Sequence, residues 1–377
     1  MKKRVLVTTA LNETLNFDKP LLFLGEWCKT FEKRDLWYHK DFKVAKYVWD
    51  DRDKLFEDYK YSIDLFEKVL DNLCVKLNSI HSVNYNSRFW RILIGPWLMI
   101  FIQIVIERWN QIKEAEKKNI IYSCVAKKFD EDLILPDISN FPNHITSDYW
   151  NFNIYSYIIK NYSNINFKKI NVKNNIRLKK NKSNYIRNFI FKFFLSPVSK
   201  LFFKNYIIGF PLSKFQRIFF SFFGYFSIFF PKKNIIKSEI NYDLRNKINN
   251  HLIKNDKNSF LKCLYDLIAL YIPTGYVEDF NQFEKNISEY PKKVYKILSQ
   301  DYYYDDFLKY WIAISSVNNA KIIASQHGGG YGIGKFFCNE YHELKFSDFF
   351  LSWGWTNQNS FQKIIPFGLF QKTPFGI

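Results

Sequence analysis

The densest concentration of usable chemistry in this chain lies at Ser325–Lys335, SQHGGGYGIGK. His327 is followed there by five of the chain's 13 glycines within seven positions. An imidazole in such a place can accept a proton or hydrogen-bond a phosphate oxygen. Gly328, Gly329, Gly330 and Gly332 let the backbone approach a ligand and expose amide N–H groups to an anion. Gln326 and Tyr331 stand beside them as polar groups for a substrate or phosphate. Two familiar loops do not fit. No frame supplies the G-x-G-x-x-G of a dinucleotide fingerprint. Gly329 to Lys335 has P-loop spacing, but Phe336 replaces the hydroxyl that would hold magnesium. A plainer reading is a tight turn in which His327 caps a backbone group.

Other residues qualify by type and placement. PLLFLGEWC puts Glu26 just past an apolar run, where an active-site carboxylate would lie. Arg88 and Arg91 in NSRFWR are one helical turn apart and share a face, which suits phosphate or carboxylate recognition. Glu340, His342 and Glu343 follow the glycine-rich loop. Each also fits an ordinary role: a surface carboxylate, an ion-paired arginine, a solvated helix face. There is no D-x-D and no cluster of His and Asp, so no metal site and no cofactor is expected.

These residues need elements to position them. Eight short branched runs read as buried strands: Val5–Thr9, Leu21–Leu24, Ile120–Ser123, Tyr206–Gly209, Val294–Leu298, Ile322–Ser325, Phe349–Ser352 and Ile364–Phe367. Most lack polar alternation, as in a parallel sheet covered on both faces. Helical periodicity separates them over Asp53–Asn78, Leu98–Lys117 and Asp243–Tyr271. Ser213 with Gln216 forms a capping-box pattern ahead of a Phe-rich helix, and Asp305 can cap the helix before His327. The alternation predicts an α/β, Rossmann-like, mostly parallel sheet with helices on both faces and helical insertions. His327 then lies beyond the carboxyl end of a strand, where such sheets bind ligands. The polar, basic stretch 161–182 reads as a flexible loop.

Bulk properties set the partner classes. The 377 residues carry a formal net charge of +19, which favours nucleic acid, acidic lipid or phosphorylated substrates. The basic residues form no recognition module, so nucleic acid is the weaker of these. Aromatic residues reach 20%, much of it beside Asn, Lys and Ile, a compositional drift rather than a signal. Five dispersed cysteines without metal-ligand spacing fit a reducing cytoplasm. The apolar runs 92–106 and 218–230 are too short to span a bilayer and read as buried helices. The second, flanked by lysines, also suits peripheral contact with an anionic membrane at the inner face of the cytoplasmic membrane.

VTTALNETL, FLGEWC, LNSIHSVNYNSRFWRILIGPWL, PKKVYKILSQ, SQHGGGYGIGK and SDFFLSWGW occur in this order. Together they resemble the transferases encoded in bacterial O-antigen and other surface-carbohydrate gene clusters. More distantly, the strand–His–Gly turn is similar to that of two-domain GT-B capsule glycosyltransferases and polyglycerol-phosphate polymerases. The resemblance implies transfer of a sugar from a nucleotide-sugar donor to a lipid-linked or glycan acceptor. It implies that His327, with Gly328, faces an interdomain cleft as base or phosphate contact. By that likeness residues 1–365 form the Rossmann-like N-terminal domain of a GT-B-like architecture. Residues 366–377 would begin a linker to a donor-binding C-terminal domain that is absent, or encoded separately, leaving the chain a poor catalyst alone. Alternatives are a non-catalytic membrane-surface scaffold and a basic nucleic-acid-binding protein. The shared-site reading requires His327, Glu26, Arg88 and Arg91 to meet in one crevice.

Overall fold

The computed structural model describes residues 2–118, 120–174, 176, 185–230, 232–249, 258–300, 302–356 and 363–368. The expected linker lies almost wholly outside them. Among the described residues the strands form two parallel sheets. The first holds β1 (Arg4–Val7), β2 (Leu21–Phe23), β3 (Phe42–Val44), β4 (Ile120–Ala126) and β5 (Phe167–Ile170), in the order β3-β2-β1-β4-β5. The second holds β6 (Asn205–Ile208), β7 (Tyr225–Ser227), β8 (Lys296–Ser299), β9 (Lys321–Ser325), β10 (Phe349–Ser352) and β11 (Lys363–Pro366), in the order β11-β10-β9-β8-β6-β7. Each is an α/β Rossmann-like sheet, and each reverses strand order once, between β1 and β4 and between β6 and β8.

The strands expected in one sheet lie in two sheets in succession, and His327 follows a strand of the second. Apolar runs reveal that a strand exists but not which strand it pairs with. All eight expected strands are present. Three were hidden. β5 lies within the stretch read as a loop; it is an edge strand of mostly exposed residues, so it carries no burial pattern. β3 is short and only half buried. β7 lies inside the Phe-rich run read as one helix. Gly224 takes φ +75°, a left-handed conformation that ends the helix, and the rest of the run turns back as a strand.

The helices that matter here are α1 (Arg52–His81), α2 (Ser87–Glu116), α3 (Asp148–Tyr162), α4 (Ser196–Phe202), α5 (Lys214–Phe222), α6 (Ser259–Tyr271), α7 (Asp306–Val317) and α8 (Cys338–Phe346). The capping box of α5 and the Asp305 cap of α7 form as expected. α2 packs against α1, α3, α6, α7 and α8, so one apolar core joins the two sheets around it. Periodicity alone delimits α2 only from Leu98, although the apolar run 92–106 and the spacing of Arg88 and Arg91 already read as helical. The helix begins at Ser87, capped by Asn86, and passes through Pro96. A Cβ on Gly95 would come 2.5 Å from His342 Nε2, so only glycine lets α8 approach here. α2 is long and apolar enough to cross a membrane by length and composition, yet 78% of its most apolar window is buried against the rest of the protein.

Candidate functional site

β9 delivers the chain to its carboxyl end, and Gln326 secures the exit. Its backbone N–H donates to the Leu351 carbonyl, and its Oε1 accepts from the Trp353 amide at 2.9 Å and from Trp355 Nε1 at 2.8 Å. Gln326 thus ties β9 to β10 and is buried, a positioning group rather than a surface contact. His327 follows. Its Nε2 lies 2.9 Å from Glu343 Oε1 and 2.6 Å from the Tyr331 hydroxyl, which also reaches Glu343 Oε2 at 3.0 Å. Its side chain is 32% exposed, whereas that of Glu343 is 1% exposed. Burial raises the Glu343 carboxyl above its usual range, and the donors His327 and Tyr331 pull it back. A carboxylate that accepts Nε2–H fixes the ring tautomer, makes Nδ1 the basic nitrogen, and stabilises the imidazolium that forms when it takes a proton.

The glycines have separate reasons. Gly332 adopts φ +75°, and a Cβ there would stand 2.7 Å from the Trp355 ring. Its amide donates to Glu340 Oε2 at 2.6 Å. A Cβ on Gly334 would lie 2.8 Å from the Gly330 carbonyl oxygen, and one on Gly330 3.0 Å from the Phe337 ring. Gly328 meets nothing closer than 4.0 Å, and Gly329 nothing at all. The later glycines fold the loop; the first two are those whose surroundings leave room for a ligand.

The remaining candidates do not gather around His327. Arg88 donates to the Phe346 carbonyl at 2.8 Å and to Asp348 Oδ2 at 2.6 Å. Asp348 also accepts from the Ile322 amide, which fixes this pair at the amino end of β9. His327 lies past the other end, roughly 16 Å away at about 3.3 Å per strand residue. Arg91 forms a two-pronged pair with Glu67 of α1, and Tyr341 of α8 donates to the same carboxylate at 2.6 Å. Both arginines bolt α2 to its neighbours. His342 lies wholly in the core and donates from Nε2 to the Arg91 carbonyl at 2.9 Å. Burial drives its pKa down to about 3, so it stays neutral. Glu340 holds the loop through Gly332. The expected crevice of His327, Glu26, Arg88 and Arg91 does not gather both arginines, because Asp348 and Glu67 satisfy them inside helix packing.

Glu26 is exposed and pairs with Lys29 at 2.8 Å. It lines a cavity of about 660 Å³ beyond the carboxyl ends of β2 and β3, with Trp27, Lys46, Tyr47, Arg108 and Asn151 among its walls. A second cavity of about 280 Å³ shares Tyr47, Glu107 and Arg108 with it and has Phe336, the residue after the glycine-rich loop, among its walls. Phe336 sits edge-on to Phe56 and Tyr59 of α1. The loop beyond β9 therefore reaches the smaller cavity, which shares walls with the one beyond β2 and β3. His327 lines neither cavity. Among the described residues no His, Cys, Asp and Glu group is arranged to hold a metal ion.

A family model for the LIC12162 family transferase matches residues 4–374. The chain belongs to that transferase family. No curated protein and no solved structure matches it. The residue of this transferase that sequence reasoning undervalued is Glu343. It stood among the candidates after the loop, with a solvated helix face as the plainer reading, yet it is the buried partner of the loop histidine. The available signal was Phe346, which stands three residues after Glu343 and four after His342 and so marks that side of α8 as the inner one. Tyr331 was read as a substrate contact and instead completes the same buried network.

Proposed function

We propose that this transferase moves a glycosyl group from a nucleotide-activated donor to a hydroxyl of a glycan or lipid-linked acceptor, with His327 as the general base. The observation that carries the reading is the His327–Glu343–Tyr331 network at the carboxyl end of β9. A buried carboxylate behind a partly exposed imidazole is the arrangement that general-base activation of a hydroxyl needs. The acceptor O–H gives its proton to the imidazole while its oxygen attacks the anomeric carbon. The bond from that carbon to the diphosphate breaks, and the diphosphate leaves with the electron pair. Amides of the open Gly328–Gly329 turn stabilise negative charge nearby. The cavity at Glu26, walled by Trp27, Tyr47, Lys46 and Asn151, offers aromatic and hydrogen-bonding surface of the kind a sugar uses. A GT-B-like division of labour, one sheet edge for each substrate, agrees with two successive parallel sheets and with a loop beyond β9 whose Phe336 borders a cavity adjoining the one at Glu26.

The test is direct. Purified protein is titrated with uridine, guanosine and cytidine nucleotide sugars, and binding is followed by calorimetry. At least one should bind, and Gly328→Val, which fills open space in the turn, should weaken that binding while the melting temperature holds. Failure of every nucleotide sugar to bind, alongside turnover of another activated group, would assign the family's transfer chemistry elsewhere.

A further inference from the structure

Nearly all of the protein's net positive charge comes from one stretch. Of the 55 Lys and Arg, 17 lie between residues 149 and 238, where there is no Asp or Glu; the other 287 residues hold 38 basic against 36 acidic side chains. The stretch begins in α3 and β5 of the first sheet, and its later part, from residue 185, builds α4, β6, α5 and β7 at one edge of the second sheet.

α5 has an unusual surface. Phe215, Ile218, Phe219 and Phe222 recur at the spacing of a single helical face, which in a globular protein is normally the buried one. Here they are 78%, 56%, 50% and 84% exposed, and no residue of α5 is buried. The helix is anchored inward by Phe220, which packs with Ile207, Phe210 and Leu212. The apolar stripe is therefore left facing solvent. Lys214 and Arg217 are exposed on its flank. A second exposed set, Phe193, Phe194, Leu201 and Phe202, belongs to α4 and the turn of helix before it. Tyr206 donates to carbonyls of Ser199 and Phe203 on one face of β6, while its neighbour Ile207 packs against the Phe220 side. Successive strand residues point to opposite faces, so the two aromatic sets straddle the edge strand β7. Lys192, Lys200 and Lys204 are exposed among them.

We propose that this edge is a docking surface for an anionic lipid bilayer, with the α5 stripe and the α4 aromatics inserted at headgroup level. Charge complementarity selects the occupant. A protein partner is a patchwork of both signs, whereas residues 185–238, with nine basic side chains and no acidic one, match a surface of uniform negative charge. Exposed aromatic and aliphatic side chains flanked by lysine are what an interfacial helix requires. The proposal concerns binding and stands apart from the glycosyl-transfer reading, so either can fail alone.

The full chain is sedimented with vesicles of phosphatidylcholine, with and without phosphatidylglycerol. Binding should require the anionic lipid and weaken as salt rises. The triple variant Phe215→Ser, Phe219→Ser, Phe222→Ser removes only solvent-facing rings, so its melting temperature should hold while affinity falls roughly tenfold or more. Lys192→Glu, Lys200→Glu, Lys214→Glu should do the same. Absence of binding, or binding indifferent to lipid charge and to both variants, overturns the proposal. So does a vesicle-free oligomer that the serine variant dissolves, since the stripe would then be an interface between protein copies.

Discussion

At the scale of single residues, His327 differs from the other histidine that flanks the loop. His327 is partly exposed and backed by a buried carboxylate. His342 is sealed in the core and held neutral by burial. The two should respond oppositely to mutation. Glu343→Gln keeps a hydrogen-bonding group beside His327 but removes the charge that stabilises the imidazolium. Turnover should fall roughly tenfold to a hundredfold, and the pH profile should move, because a base without its carboxylate titrates lower. Unchanged turnover and profile would make Glu343 a packing group. Gly332→Ala tests the loop. A residue other than glycine pays about 1–2 kcal/mol at positive φ, and the new methyl would press on Trp355. Denaturant unfolding should show a loss of at least that size, and Gly329→Ala, with open space around it, should show far less. His327 and its glycines were legible from residue type alone. Glu343 was legible as a candidate but not as the partner of His327, since it lies sixteen residues on and meets His327 only when α8 folds back across β9.

At the scale of elements, α2 decides where candidate residues go. Its first turn carries Arg88 and Arg91, and their spacing correctly placed them on one helical segment. Spacing cannot show what a helix face meets. Here it meets Asp348 at the start of β10 and Glu67 on α1, both of which satisfy the guanidinium groups. Asp348 feels burial against its charge, but Arg88 and the Ile322 amide hold its carboxyl below the usual range. Arg91→Ala should therefore act on stability. Losing a partly buried, two-pronged charged pair costs about 1.5–3 kcal/mol, read by chemical unfolding, while the specific activity of the folded fraction is unchanged. A large loss of activity at full stability would return Arg91 to the site. Pro96 lies inside α2 without ending it: burial of the helix and the close approach of His342 outweigh a missing backbone bond.

At the scale of the whole molecule, strand content and fold class could be read from branched runs, but not the division into two sheets. Runs give no pairing, and the strands that complete each sheet, β3, β5 and β7, are short or exposed edges. The joined core has a pH consequence. His342 stays neutral to about pH 3 when folded, against an ordinary value of 6.5, and burial lowers His81 and His144 in the same direction. Between those limits the unfolded chain binds more protons, so the His342 contribution to stability is lost as pH falls from about 6.5 toward 3. The slope is at most about 1.4 kcal/mol per pH unit. Asp305, raised by burial to about 6, works in the opposite sense, as does Glu343. Comparing the wild type with His342→Gln isolates the histidine: the variant should lose stability less steeply between pH 6 and pH 4 by roughly that slope. Parallel curves would mean that His342 is protonated in the folded protein.

The most direct measurement of the central claim is sugar transfer from nucleotide-sugar donors by His327 variants whose fold is checked by circular dichroism and thermal melting. His327→Ala should melt like the wild type and lose about 10²–10⁴ in turnover, the scale for a missing general base. His327→Gln, which restores a hydrogen bond but no basic nitrogen, should stay near the alanine level. Turnover by folded His327→Ala equal to that of the wild type would contradict the account, and so would full recovery in His327→Gln, which would make the residue a hydrogen-bonding contact rather than a base.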